Sequence, residues 1–151
     1  MGAFHIYTDG SCYYKSRLGG IGGILRYQFF KKPDGSMVPI EQTFSIPQRD
    51  TTVPRCELLA IITAMGMIKK SFKGRIFLNC DAENTVLNIQ DPERLRRKNL
   101  DLWTQWNQID AHFGDQISIK WIPREDNKVA DKLAGAAYQE AKKLWDKKED
   151  K

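Results

Sequence analysis

Four acidic side chains far apart in the chain, Asp9, Glu57, Asp81 and Asp131, are the residues best suited to chemistry. Carboxylate oxygens are the ligands hard divalent cations prefer, and several carboxylates held close together repel one another unless a cation accompanies them. Asp9 follows the run Phe4-His5-Ile6-Tyr7-Thr8, and Asp81 follows Arg75-Ile76-Phe77-Leu78-Asn79-Cys80, so both stand at the ends of expected strands. In open α/β sheets, sites assemble beyond the carboxyl ends of the strands. Asp9 and Asp81 are therefore candidate neighbours. Each acid also has an ordinary structural reading: Asp9-Gly10-Ser11 as a turn, Glu57 favouring a helix N-terminus, Asp131 as a surface charge.

The elements that must position these acids are legible from residue patterns. After the glycine cluster Gly19, Gly20, Gly22 and Gly23, Ile24 to Phe30 reads as a second strand, Lys32-Pro33-Asp34-Gly35 as a turn and Val38 to Ile46 as a third strand. These strands form an expected antiparallel meander. Leu58, Leu59, Ile61, Ile62, Met65 and Ile68 recur at helical spacing, with Thr51 and Thr52 as caps and Pro54 in the first turn, which places Glu57 in the first or second turn. Glu83 to Ile89 suits a short helix, Leu100 to Phe113 a longer one, Ile117 to Ile122 a fifth strand, and Asn127 to about Lys147 a final helix carrying Asp131. On that helix Val129, Leu133, Ala137, Ala141, Leu144 and Trp145 mark the expected buried stripe. The order implies an α/β fold: a five-stranded mixed sheet, three strands antiparallel and then two parallel, flanked by helices.

Composition narrows the class. At 151 residues, with 41% hydrophobic and 28% charged residues, the chain has the make-up of one soluble domain spanning residues 1–151, with residues 146–151 as a frayed charged end. No apolar run approaches the roughly 18 residues that cross a bilayer, and the N-terminus lacks a secretory pattern. A cytoplasmic location is expected. Lys plus Arg against Asp plus Glu, 24 − 19, leaves +5, which favours a polyanionic partner. Cys12, Cys56 and Cys80 are odd in number and lack CxxC spacing, so reduced thiols are expected. Cys56 and Cys80 precede candidate acids, but neighbours in a helix or strand do not share a face, which argues against zinc.

The segments Tyr7-Thr8-Asp9-Gly10-Ser11, Glu57-Leu58-Leu59-Ala60, Asn79-Cys80-Asp81 and Asn127-Lys128-Val129-Ala130-Asp131-Lys132-Leu133-Ala134 occur in that order. With Gly19 to Tyr27 and Lys98-Asn99-Leu100-Asp101-Leu102-Trp103, they make the chain resemble a type 1 ribonuclease H from about Phe4 to Tyr138. The resemblance implies a ribonuclease H-like fold and an endonuclease that hydrolyses the RNA strand of RNA–DNA hybrids, leaving 5′-phosphate and 3′-hydroxyl ends. It further implies that the four acids hold two divalent ions, magnesium in the first place and manganese as the other fit. Asp9 would bridge both ions, Glu57 and Asp81 would hold the one near the leaving oxygen, and Asp131 the one that activates water. Two such ions suit in-line displacement at phosphorus. A monomer that needs no membrane and no organic cofactor is expected.

The same resemblance places hybrid contacts at Gly10, Ser11 and Arg55, whose other readings are turn geometry and a solvated charge. Arg94, Arg96, Arg97 and Lys98 form an abbreviated basic segment that would meet phosphates in a salt-dependent way. Trp103 and Trp106 read as buried packing rather than stacking platforms. The chain departs from the family at Val53 and Pro54, where asparagines are common, and at Ala82, where a serine is common. Its short loop from Ile122 to Ala130 lacks the histidine many members carry, and this chain's histidines, His5 and His112, lie elsewhere. Arg124 and Glu125 are the candidates to stand in for it, against a reading as plain loop charge. Other readings stay open: another nuclease of the same fold, a domain excised from a reverse transcriptase, or a hybrid-binding module whose catalysis has faded.

Overall fold

Residues 2–94 and 96–146, without the side chains of residues 28–30, are described in the computed structural model. Phe4–Tyr13 (β1), Leu18–Lys31 (β2) and Met37–Gln48 (β3) precede the helix Val53–Gly66 (α1). Ile76–Cys80 (β4), the helices Glu83–Gln90 (α2) and Leu100–Phe113 (α3), Ile117–Trp121 (β5) and the helix Lys128–Trp145 (α4) follow. The sheet order is β3-β2-β1-β4-β5. The first three strands pair antiparallel, and β4 and β5 join parallel to β1. This is the expected mixed sheet.

Local chemistry explains α1. Thr52 is extended and its Oγ1 accepts the Arg55 N–H at 3.3 Å, capping the helix, while Pro54 occupies a first-turn position where a backbone N–H has no helical partner. Leu58, Ile61, Ile62 and Met65 then turn into a core shared with Ile6, Leu25, Ile76, Leu78 and Trp106. Trp103 and Trp106 are both buried, the packing role expected of them. No helix among the described residues is long and apolar enough to cross a membrane.

Three local expectations need correction. Asp9-Gly10-Ser11 is not a turn: β1 continues through it to Tyr13, and the chain reverses over residues 14–17, where Arg17 has a φ of 59°. The second strand, expected from Ile24, begins instead at Leu18, because Gly19, Gly20, Gly22 and Gly23 pair with Cys12, Ser11, Asp9 and Thr8. Ladder pairing thus overrides the turn preference of Asp-Gly. On α4, Val129 and Leu144 are exposed, Leu133 and Trp145 half-buried, and the buried stripe is Ala130, Ala134, Ala137 and Ala141. The frayed end expected at residues 146–151 lies, beyond Asp146, outside the described residues.

Both the glycines and the alanines reflect close backbone packing. A Cβ on Gly20 or Gly22 would strike the α4 backbone at Ala134, and one on Gly10 would come within 2.6 Å of the Glu57 backbone nitrogen on α1. Neighbouring residues of a strand face opposite sides. With Gly22 paired to Asp9, these contacts place α1 and α4 on opposite faces of the sheet.

Candidate active site

Thr8 and Cys80 are the last partners of the parallel ladder between β1 and β4, so Asp9 and Asp81 are the next residues along two adjacent strands. Asp9 is buried at 6% exposure, and its Oδ1 accepts the Gly10 N–H at 2.9 Å. The missing side chain at Gly10 lets α1 settle against β1 at Cys56 and Glu57. The missing side chain at Gly22, opposite Asp9, lets α4 settle against β2 about one turn past Asp131. Sheet register and two helix contacts thus bring together four acids separated by as much as the interval from 9 to 131.

Their electrostatic couplings run in the order Glu57, Asp81, Asp9, Asp131. Burial first, then the neighbouring Asp81 and a hydrogen-bonding approach by Asp131, push the Asp9 carboxyl up to about 8, against the pull of the Gly10 N–H. Burial and then Asp81 push Glu57 up to about 7, while the Thr85 hydroxyl, donating to Glu57 Oε2 at 3.4 Å, pulls it down. Among the described residues no three His, Cys, Asp or Glu side chains converge into a ready coordination shell. The acids are a cluster gathered by topology, and their oxygen donors and mutual repulsion suit a hard cation. Arg124 reaches toward this cluster, with Nη2 3.5 Å from Asp131 Oδ1 and its side chain 80% exposed. Glu125 is exposed beside a small cleft lined by Tyr7, Arg26 and Asn127.

The cysteines stand apart from this chemistry. Cys56 and Cys80 are fully buried, and burial pushes their thiols up to about 11 and about 12. Burial also raises the thiol of Cys12.

The basic candidates divide by what they touch. Arg55 donates to both carboxylate oxygens of Asp101, at 2.9 and 2.6 Å, and to Asn99 Oδ1 at 3.2 Å. Arg96 lies over the Trp103 ring at 4.0 Å and donates to Asn107 Oδ1 and the Asn88 carbonyl. Arg94, Arg97 and Lys98 are exposed. Arg97 and Lys98, with Thr52, Thr85, Asn88 and Trp103, line a cleft of about 570 Å³ between the start of α1 and the segment leading into α3. Gly10 and Ser11 lie in β1 between this helix and β2.

Three residues near the acids have no counterpart among the sequence candidates: Thr85, which holds Glu57, and Asn79 and Asn127, whose amides bond to the backbone of β1. Asn79 had a readable signal, a lone polar residue inside an apolar strand.

A family model described as Reverse transcriptase-like matches residues 7–137. The ribonuclease H of Klebsiella pneumoniae strain 342 is 32% identical, over 87% of this chain and 86% of that protein. An Escherichia coli ribonuclease H is 31% identical over the same shares. Among solved structures, LC11-RNase H1, isolated from compost by a metagenomic approach and solved in complex with RNA/DNA hybrid, superposes with a TM-score of 0.74 at 22% identity, over 91% of this chain and 98% of that one. The RNase H1 of the archaeon Halobacterium salinarum superposes with a TM-score of 0.66 at 22% identity, over 93% of this chain and 100% of that one. At such identities these structures speak for the fold.

Proposed function

The chain belongs to the ribonuclease H family and is a ribonuclease H enzyme; from that premise we propose that it cuts the RNA strand of RNA–DNA hybrids internally, with Asp9, Glu57, Asp81 and Asp131 as its catalytic carboxylates. The observation that supports this reading is the placement of Asp9 and Asp81 directly after the last pair of the β1–β4 ladder, with Asp9 buried and with Gly10 and Gly22 admitting the helices that carry Glu57 and Asp131. Asp9, Glu57, Asp81 and Asp131 would hold two divalent cations, magnesium first, through their carboxylate oxygens. When bound, the ions supply positive charge against the charge that builds on the phosphoryl and leaving oxygens, a route to 5′-phosphate and 3′-hydroxyl ends.

The chain's own residues do the rest. The buried backbone around Asp9 holds its carboxylate in a fixed place, and Thr85 fixes one oxygen of Glu57. Arg97 and Lys98 reach phosphates across the cleft beside α1, while Arg96, tied to Trp103, lines its wall and Arg55 holds Asn99, another lining residue. Arg124, with Nη2 3.5 Å from Asp131 Oδ1, brings a positive charge to the loop that lacks the histidine.

The test is cleavage of end-labelled RNA–DNA hybrid, duplex RNA and duplex DNA, with magnesium and with chelator. Magnesium-dependent internal cuts in the RNA of the hybrid alone, with 5′-phosphate products, are expected; hybrid that is bound but uncut under all conditions contradicts the reading.

A further inference from the structure

Two buried amides outside the carboxylate set hold the strand that carries Asp9. Asn79 Nδ2 donates to the carbonyl of Ile6 at 3.1 Å, and Asn127 Nδ2 donates to the carbonyl of Thr8 at 2.8 Å. Asn79 and Asn127 are 5% and 1% exposed. Each amide sits close in sequence to another acid of the cluster. Asn79 precedes Asp81 by two residues on β4, and the carbonyl of Asn127 accepts the Asp131 N–H at 3.0 Å in the first turn of α4. The hydrogen bonds therefore join β1, β4 and α4 just before the points where Asp9, Asp81 and Asp131 leave them.

Packing alone does not explain these side chains. Asn79 interrupts the apolar strand Ile76-Phe77-Leu78-Asn79-Cys80, where an aliphatic residue would bury its surface without a polar cost. Asn127 leaves its Oδ1 buried without a hydrogen-bond partner among the described residues, a loss of stability that an apolar residue of similar size would avoid. What each amide provides is its donor, aimed at a β1 carbonyl next to the cluster.

We infer that Asn79 and Asn127 are positioning residues, an amide clamp that sets the spacing of Asp9 from Asp81 and Asp131 and so the affinity of the cluster for divalent cations. The inference rests on the reading of the four acids as the cation site. The clamp touches neither substrate nor ion; it acts by holding the backbone from which three ligands project, as outer hydrogen-bond partners orient metal ligands elsewhere.

The test is Mn2+ binding by calorimetry to the parent, Asn79→Ala and Asn127→Ala, with hybrid cleavage and thermal melting alongside. Each alanine variant is expected to weaken Mn2+ binding about tenfold and to lower kcat with KM for hybrid nearly unchanged. Parent-like Mn2+ affinity in both variants, with only the melting temperature lowered, overturns the clamp and leaves a structural role. Asn79→Leu and Asn127→Leu, which keep the branched shape and lose the donor, replace any alanine variant that does not fold. The parent alone gives a second reading: the side-chain amide NMR resonances of Asn79 and Asn127 shift on addition of Mg2+, and unmoved resonances overturn the inference. A parent that binds no Mn2+ overturns the carboxylate reading and the clamp together, whereas a parent that binds Mn2+ as its asparagine variants do overturns the clamp alone.

Discussion

The carboxylate cluster and the basic cleft both border the start of α1, where Thr85 lines the cleft and holds Glu57, yet they are built in different ways. The cluster is placed by backbone: Asp9 and Asp81 follow the last pair of a parallel ladder, Gly10 and Gly22 admit two helices, and side-chain amides from β4 and the start of α4 bind β1 carbonyls. The cleft is placed by side chains: Arg55 on Asp101, Arg96 on Trp103 and Asn107, with Arg97 and Lys98 left to solvent. A site set by backbone tolerates little displacement, because reacting groups must be held to fractions of an ångström. A site set by long exposed side chains tolerates much more. Damage should therefore fall steeply in the cluster and gently in the cleft.

Gly22→Ala gives the largest effect of this kind. The new Cβ would strike the α4 backbone at Leu133 and Ala134, costing about 3 kcal/mol of stability. Displacing Asp131 should lower kcat about a hundredfold in the folded fraction. Thermal melting and single-turnover cleavage check this, and a variant with parent activity would break the claim that α4 contact sets the cluster.

In the cleft, Arg97→Ala combined with Lys98→Ala should raise KM for hybrid several-fold, leave kcat alone and flatten the salt dependence of binding by about two in log–log slope. Arg96→Ala should do the reverse, losing about 1 kcal/mol of stability with its cation–π contact while the salt slope holds. A salt titration of hybrid affinity separates the two. Equal effects from all three residues would mean that Arg96 is as free as its neighbours.

The smallest effect is on the pH dependence of stability. In chelator, Asp9 at about 8 and Glu57 at about 7 bind protons more tightly folded than unfolded. Their contribution to stability is present below pH 4 and is lost as pH rises through 7 and 8. The melting temperature without divalent cation should fall by a few degrees between pH 5 and 8, and added Mg2+ should recover it. The Arg55–Asp101 pair lies outside this window, because Asp101 is held down to about 2 and loses its contribution only in stronger acid. Melting curves across pH check the sign; a rise toward pH 8 in chelator would contradict it.

This division also decides what could be read in advance. The ends of α3 and the start of α1 follow from local signals, Thr52 and Pro54 above all, and the four acids sit in motifs whose spacing is visible along the chain. The extension of β1 past Asp9 was hidden because Asp-Gly-Ser favours a turn locally, and only pairing with the distant glycines of β2 makes it a strand. On α4 the size of Val129 and Leu144 suggests core, whereas contact with a glycine-lined sheet demands alanine. The partners of Arg55 and Arg96 lie across tertiary contacts that no local pattern reports.

The central claim, that the gathered carboxylates perform cation-dependent cleavage while other surfaces hold the hybrid, is tested most directly by Asp9→Asn. Hybrid affinity and magnesium-dependent cleavage should be measured on the same preparation beside the parent. Hybrid binding should stay parent-like while cleavage falls roughly a thousandfold or more. Cleavage at the parent rate would contradict the claim.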